Sequence, residues 1–239
     1  MRLSEQQCND CTHKDAKKKV GKWYGSWGCD GGWVESCWDF AKDHGIMLDS
    51  DYPYKGKDKK CKLDDDKVAV KAGKMARIKS DIEDAKIKLQ EGPLTIGVRS
   101  NDKCWDNYQS GIISTADGCN NKKWLDHCVA IVGLGTETVT QTYKTKDKYD
   151  YKCKVSATGI CKKNRVRKYK FPYVYCCKKK LIEEGEWITE TIDQEYWLVQ
   201  NSWGTGWGDA GFIKIAVEEG RGVSGMNGEI EYVTVEETF

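Results

Sequence analysis

The spacing of apolar residues predicts helices in the first third of the chain and mainly strands in the rest. Apolar residues between positions 33 and 41 recur at helical spacing, and Gly45 follows as a stop signal. A second helix is expected to end at about Glu91, because the following Gly92-Pro93 pair cannot continue it. Strands are predicted at 68–79, 94–98, 124–135, 196–200 and 211–216. Helices followed by strands are typical of α+β architecture.

Residues 136–195 separate two strands that would otherwise be hairpin neighbours. Sixty residues is too long for an ordinary loop in a compact domain. The segment contains Cys153, Cys161, Cys176 and Cys177, and its tyrosines and lysines alternate over short stretches. We therefore expect it to fold as a β extension tied by disulfides.

Charge is distributed unevenly along the 239 residues. The whole chain has a formal net charge of +2, which favours no class of partner. Residues 141–180, however, hold fourteen Lys or Arg and two Asp, a local charge of +12, so the remainder carries −10. This basic segment is expected either to be a solvated surface or to contact an acidic surface on a protein or nucleic acid.

Twelve cysteines point to an oxidising compartment and several disulfides, although reduced, buried thiols are the alternative. Cys8 and Cys11 form a Cys-x-x-Cys pair without a second pair at zinc-site spacing, so we expect no metal and no other cofactor. No apolar run approaches the ~20 residues of a membrane span. The first residues lack the apolar stretch of a signal peptide, and none is expected in this sequence.

Four motifs follow one another along the chain with consistent spacing. They are Leu3-Ser4-Glu5-Gln6-Gln7, Gly28-Cys29-Asp30-Gly31-Gly32, Asp126-His127-Cys128-Val129-Ala130 and Asn201-Ser202-Trp203-Gly204-Thr205-Gly206-Trp207-Gly208. In this order they resemble the papain and cathepsin family of cysteine proteases, over nearly the whole chain except 136–195. The resemblance implies a two-lobed papain-like fold, with a helical lobe and an antiparallel, β-barrel-like lobe. Residues 1–92 would belong to the helical lobe, incomplete here, and residues 93–239 to the β-rich lobe.

The resemblance assigns the acid–base chemistry to three residues. His127 would hold a thiolate as an ion pair and later protonate the leaving amine. Asn201 would orient the imidazole without taking its charge, and Trp203 would shield their hydrogen bond from water. A core histidine and a turn asparagine are the alternatives, which the surrounding motifs disfavour.

The resemblance also implies a binding site for an extended peptide or protein substrate. Gly31 and Gly32 would present backbone amides to it; a turn before the helix is the alternative role of the pair, and both can be true. The pocket for the second residue before the cleavage point would be lined by Trp33, Val34, Gly97, Leu125, Asp126 and Cys128. Glu229 at its base would accept an Arg or Lys side chain.

The family's nucleophilic cysteine is expected outside this sequence. In the family, the Leu-Ser-Glu-Gln-Gln motif follows the nucleophile, its central helix and the glutamine of the oxyanion hole, whereas here the motif begins at Leu3. Cys37 lies in a Ser-Cys-Trp-x-Phe-Ala stretch similar to the nucleophile motif. It falls inside a predicted helix and only 90 positions before His127, so we interpret it as a packing residue.

Comparison of the cysteines with those of the family also suggests that the nucleophile segment lies outside this sequence. Cys11 and Cys61 match a bonded pair of the family, whereas the partner expected for Cys29 lies upstream of the nucleophile. Ser224 stands where the family has a late cysteine, which makes the family's third bridge doubtful. The pairing of Cys104, Cys119, Cys153, Cys161, Cys176 and Cys177 stays open.

Two hypotheses for function remain. The first is a papain-like cysteine peptidase whose nucleophile lies on an upstream segment or another polypeptide, with Cys29 as the expected point of a disulfide bridge to it, so that this chain alone is inactive. The second is a non-catalytic papain-like binding or structural protein that uses the basic 136–195 segment. The family and the cysteine content imply a lysosomal, vacuolar or extracellular location.

Overall fold

A computed structural model describes residues 1–79, 81–101, 103–119, 124–158, 160–162 and 164–238. The chain divides into two compact units. The first, here called the body, comprises Met1–Thr136 and Glu195–Phe239. The second, here called the insertion, comprises Glu137–Gln194.

The described residues form five α-helices, all in the body: α1 (Glu5–Thr12), α2 (Lys17–Val20), α3 (Val34–His44), α4 (Ile82–Leu89) and α5 (Lys103–Asp106). The side chain of Ser4 caps α1 by accepting a hydrogen bond from the amide of Gln7, and Asp81 caps α4 in the same way. The helix predicted over 33–41 is α3, and Gly45, with a positive φ of 77°, follows its last residue. No helix in the described ranges is long and apolar enough to span a bilayer.

Eight strands form one large sheet with the order β1-β2-β11-β3-β5-β9-β10-β4. Their bounds are β1 Ile46–Met47, β2 Val68–Ile78, β3 Leu94–Val98, β4 Ile112–Ile113, β5 His127–Lys144, β9 Trp187–Gln200, β10 Phe212–Ala216 and β11 Ile230–Thr238. The α+β architecture is confirmed. Strands β4 and β10 pair in parallel, so the sheet is mixed, and its described strands do not close into a barrel.

Strands β5 and β9 extend farther than the apolar pattern predicted. Their inner ends hold buried residues such as Ile131 and Val199, and their outer ends alternate between exposed and half-buried threonines and glutamates. A strand of this kind is stabilised by cross-strand pairs, including the Thr142 and Thr189 hydroxyls 2.9 Å apart. The strand ends were missed because the prediction relied on apolar runs, which these polar segments lack.

The core of the body brings the functional motifs together. One buried cluster lies on the central strands and includes Ile96, Ile131, Trp197 and Ile213, all inaccessible to solvent. A smaller cluster packs α1, α3 and β1 around Phe40. Because β5 begins at His127 and β9 ends just before Asn201 in neighbouring strands of the sheet, burying these strands places the two side chains side by side.

The insertion contains a three-stranded antiparallel sheet with the order β6-β8-β7. These strands are β6 (Lys148–Val155), β7 (Val166–Lys170) and β8 (Tyr173–Glu183). Disulfides join Cys153 to Cys177 and Cys161 to Cys176. The segment therefore forms the disulfide-tied β structure expected from its length and cysteines.

Candidate active site

His127 and Asn201 form a direct hydrogen bond at the edge of the body's core. The His127 Nε2 atom lies 2.8 Å from Asn201 Oδ1, and the backbone amide of Ser202 donates to the same oxygen at 2.8 Å. An amide oxygen only accepts, so His127 donates from Nε2. This arrangement fixes the ring and leaves Nδ1 available for proton transfer to a reacting group.

Two tryptophans contact the imidazole, and a third packs behind them. Trp203 stacks on His127 with ring centroids 5.2 Å apart, and Trp105 meets both rings edge-on at 6.2 Å. Trp207 stacks in turn on Trp105 at 5.8 Å. These rings keep water away from one side of the His127–Asn201 hydrogen bond, which strengthens it electrostatically.

Trp105 and Trp207 were not singled out from the sequence. Trp207 is in the Asn-Ser-Trp-Gly-x-x-Trp-Gly motif, which was a usable signal, whereas Trp105 lies in α5, far from any motif. The fully buried Trp105 donates from Nε1 to the hydroxyl of Ser224 at 3.0 Å. Ser224, noted only as a replaced cysteine, therefore satisfies the polar atom of the ring that packs against the imidazole.

A cavity of about 650 Å³ adjoins the histidine. Its lining includes His127 and all the residues proposed from the resemblance to contact substrate: Gly31, Gly32, Trp33, Val34, Gly97, Leu125, Asp126, Cys128 and Glu229. Asp126 accepts hydrogen bonds from the backbone amide and hydroxyl of Ser100, at 2.7 and 3.2 Å, which holds the start of β5 in place. The cavity is large enough for a side chain of a bound peptide.

Two glycines shape the cavity. Gly31 has a φ of 112°, a backbone conformation that other residues rarely adopt. At Gly97, a Cβ atom would lie 2.7 Å from Leu125 Cδ1 and 3.2 Å from Glu229 Oε2. A larger residue at position 97 would therefore displace the wall of the cavity.

Arg77 joins three glutamates at one end of the cavity. Its guanidinium lies 2.6 Å from Glu231, 2.9 Å from Glu35 and 3.8 Å from Glu229. The hydrogen bond to Glu231 and the neighbouring carboxylates raise the pKa of Arg77, whereas burial raises the pKa of Glu231 against the opposing effect of Arg77. One guanidinium faces three carboxyl groups, so this end of the cavity favours cations.

Ten of the twelve cysteines are bonded in five disulfides. Cys11 is bonded to Cys61, and Cys104 to Cys119. Cys37 packs against the smaller core cluster, as interpreted from the sequence, and it is also bonded to Cys8, which the sequence did not predict. Helices α1 and α3 lie side by side, which brings the Cα atoms of Cys8 and Cys37 to 5.2 Å.

The two free thiols, Cys29 and Cys128, are poorly suited to act as nucleophiles. Burial, then the Asp58 carboxylate, raises the pKa of Cys29, and burial, then Glu229, raises that of Cys128. Cys128 follows His127 on β5, and neighbouring side chains of a strand point to opposite faces. In the described part of the chain, neither free thiol is hydrogen-bonded to His127.

Known proteins resemble this chain over most of its length. The profile of the papain family of cysteine proteases matches residues 1–234. Digestive cysteine proteinase 3 of Homarus americanus is 29% identical over 239 residues, covering 98% of this chain and 53% of that protein. A cathepsin L-like protein of Caenorhabditis elegans is 28% identical, covering 90% of this chain and 45% of that protein. The chain thus spans about half the length of the curated relatives it matches.

Solved structures show the same fold. The bromelain protease from Ananas comosus, in complex with the E64 inhibitor, has a TM-score of 0.63 at 23% identity and covers 98% of this chain and 79% of that one. A Carica candamarcensis cysteine protease in complex with E-64 has a TM-score of 0.62 at 22% identity, covering 98% and 78%. The resemblance inferred from the four motifs is confirmed. The chain belongs to the papain family of cysteine proteases.

Proposed function

We propose that His127, Asn201 and Trp203 are the acid–base half of a cysteine peptidase. The nucleophilic cysteine and the oxyanion glutamine would come from a segment upstream of these residues or from another chain. The thiolate would attack the peptide carbonyl, and the His127 imidazolium would protonate the leaving amine. Water would then hydrolyse the thioester with His127 as the base.

The observation that carries this proposal is the His127–Asn201 hydrogen bond beneath Trp203. At 2.8 Å, it fixes the tautomer needed for proton transfer at Nδ1, while Asn201 adds no charge that would hold the proton on the ring. A histidine kept only for packing would not need an orienting amide and a stacked ring together.

A buried N–H group of the site supports a further segment. Asn201 Nδ2 is buried and has no acceptor among the described residues. Buried donors in native proteins almost always have a partner. An additional segment carrying the thiol would supply acceptors for such groups, and the exposed thiol of Cys29 is a suitable point for a disulfide to it.

The substrate would be an extended peptide that binds along Gly31 and Gly32. The second residue before the cleavage point would be Arg or Lys, because its side chain would enter the cavity end that holds Glu229, Glu231 and Glu35 around Arg77. Five disulfides fit an oxidising compartment, and we propose a lysosomal, vacuolar or extracellular location.

A non-catalytic binding protein is the second candidate. The observation that favours it is that both free thiols have raised pKa values and neither is hydrogen-bonded to His127. The two candidates differ in one respect, which is whether a reactive thiol joins His127 in the native assembly.

Peptide hydrolysis distinguishes these candidates. The purified 239-residue chain should not hydrolyse a fluorogenic peptide with Arg at the second position, whereas protein isolated from its natural source should, with complete loss of turnover after a thiol-directed epoxide. Turnover by the 239-residue chain alone, blocked by the epoxide, would refute the need for an added thiol. An inactive natural preparation would favour the binding protein.

A further inference from the structure

One face of the insertion's three-stranded sheet is densely cationic. Directly opposed residues of antiparallel strands lie on the same face, and Lys152 stands opposite Lys178, while Cys176 is flanked by Lys154 on one side and Arg167 on the other. Lys180 shares this face, opposite Asp150. We call this set the lysine face: Lys152, Lys154, Arg167, Lys178 and Lys180. All five side chains belong to exposed residues.

The lysine face holds one carboxylate, Asp150 opposite Lys180, but its cations form no ion pair within the described residues. Within the described residues of the insertion, ion pairs join Lys144 to Glu184 and Asp147, and Lys148 to Glu183. None of the five lysine-face residues forms an ion pair with a described residue. Like charges directly opposite each other destabilise a sheet, so Lys152 and Lys178 carry an energetic cost that a bound anion would remove.

The opposite face of the same sheet is built differently. There the Lys168 ammonium lies 3.6 Å from the centre of the Tyr151 ring, and the Lys179 ammonium lies 3.4 Å from that of Tyr149. These lysines therefore have aromatic partners. The lysine face has a single aromatic ring, Tyr169, which Arg167 already contacts at 5.4 Å.

Two disulfides hold the lysine face in a fixed arrangement. The Cys153–Cys177 bond joins β6 to β8, and Cys161–Cys176 ties the segment before β7 to β8. Along each strand, same-face side chains are about 6.6 Å apart, and neighbouring strands are about 4.8 Å apart. The result is a rigid two-dimensional array of positive charges, which is ordered before any ligand binds.

We propose that the lysine face is a binding site for a linear sulfated polysaccharide. Such a chain carries several sulfates on each short repeat, which matches an array with cations in two directions. Binding would be driven by release of counterions from the polymer and by relief of the repulsion between Lys152 and Lys178. This site is separate from the peptidase proposal and does not depend on it.

Two observations favour a polysaccharide over a nucleic acid. Proteins that bind single strands combine cations with a series of open aromatic rings on which bases stack, whereas the described strands of the lysine face offer one, Tyr169, with Arg167 5.4 Å from its centre. The five disulfides of the chain also fit an oxidising compartment, where sulfated polysaccharides are common polyanions and nucleic acids are not.

The test measures the affinity of the 239-residue chain for heparin over a series of salt concentrations. We expect Lys152→Gln with Lys178→Gln to weaken binding roughly tenfold and to lower the slope of log affinity against log salt by about two. The matched control, Lys144→Gln with Lys148→Gln, removes the same charge from paired lysines of the insertion and should change affinity less than about twofold. Lys152→Arg with Lys178→Arg should retain binding.

Three results would overturn the proposal. Equal weakening by both double Gln variants would show that only net charge matters. Absence of heparin binding by the unmodified chain near physiological salt would exclude the site. Tighter binding to single-stranded DNA or to poly-glutamate than to heparin would assign the lysine face to a different partner. Unchanged far-ultraviolet circular dichroism in each variant verifies that the sheet is intact.

Discussion

The body and the insertion are stabilised by different interactions. The body buries an apolar core with residues such as Leu94, Ile96 and Ile215 almost or completely inaccessible to solvent. In the described part of the insertion, the buried residues are Cys176 and Cys177, both half-cystines. A sheet of this size cannot bury enough apolar surface, so covalent bonds replace a core.

The two units also use charge differently. In the body, Arg77 is surrounded by three glutamates, and Lys86 bridges Glu83 and Glu195 at 3.0 and 2.9 Å. In the insertion, the lysine face has no ion pair with any described residue. The charges around Arg77 lie at the cavity of the body, whereas those of the lysine face are proposed to contact a ligand.

The largest expected effect concerns the body's histidine. His127→Ala in the active native assembly should lower peptide turnover by roughly 10²–10⁴-fold, because proton transfer to the leaving amine is lost. The measurement is kcat/KM for a fluorogenic peptide. His13→Ala, which removes an imidazole whose Nδ1 atom lies beside the backbone amide and the carboxylate of Asp15, serves as control and should keep near-normal turnover. Equal turnover in both variants would remove His127 from the mechanism.

The second prediction tests the dependence of the insertion on its disulfides. Replacing Cys153 and Cys177 together by Ala should lower the free energy of opening the three-stranded sheet by about 2–4 kcal/mol, because the open chain gains entropy. Hydrogen exchange at the amides of Val166–Lys170 should accelerate, while exchange in Leu94–Val98 of the body stays unchanged. Slow exchange throughout the insertion in this variant would contradict the account.

The third prediction concerns the polar contact that supports the aromatic shell of the site. Ser224→Ala should lower the free energy of unfolding by about 1–3 kcal/mol, because it leaves the buried Trp105 Nε1 without its acceptor. Urea denaturation measures the change. Ser50→Ala, at an exposed position, should stay within about 0.5 kcal/mol of the unmodified chain. If Ser224→Ala leaves the free energy of unfolding unchanged, Trp105 must find another acceptor.

The smallest expected effect concerns a free thiol of the body. Burial and the Glu229 carboxylate raise the pKa of Cys128, so its thiolate fraction is low at neutral pH and grows as pH rises. Glu229→Gln should move this titration to lower pH and speed alkylation of Cys128 at pH 8 by about twofold to fivefold. Cys29 in the same protein is the internal reference, and an equal acceleration there would exclude a local effect of Glu229.

The sequence predicted the fold and the His127–Asn201 pair because the motifs of the family carry that information locally. Arg77 was not predicted, because it is opposite Glu231 only through the pairing of β2 with β11, more than 150 positions apart. The Cys8–Cys37 bond likewise depends on the packing of α1 against α3. Long-range pairing of this kind leaves no periodic signal in the chain.

The insertion shows the same limit of prediction from the sequence. Its cysteines and length predicted a disulfide-tied β structure, but the pairing of Cys153 with Cys177 follows from the register between β6 and β8. The lysine face also depends on that register, since a shift of one residue would move its side chains to the opposite face. The sequence showed that the insertion is strongly basic, but it did not show which side chains share one face of the sheet.

The most direct test of the central claim is the intact mass of native protein labelled with a thiol-directed epoxide, before and after reduction. The account predicts that the label lies on a polypeptide segment outside these 239 residues, and that a segment joined through Cys29 would be released by reduction. It also predicts that His127→Ala abolishes labelling. A label on Cys29 or Cys128, or an unlabelled species with the mass of this chain alone in both states, would contradict it.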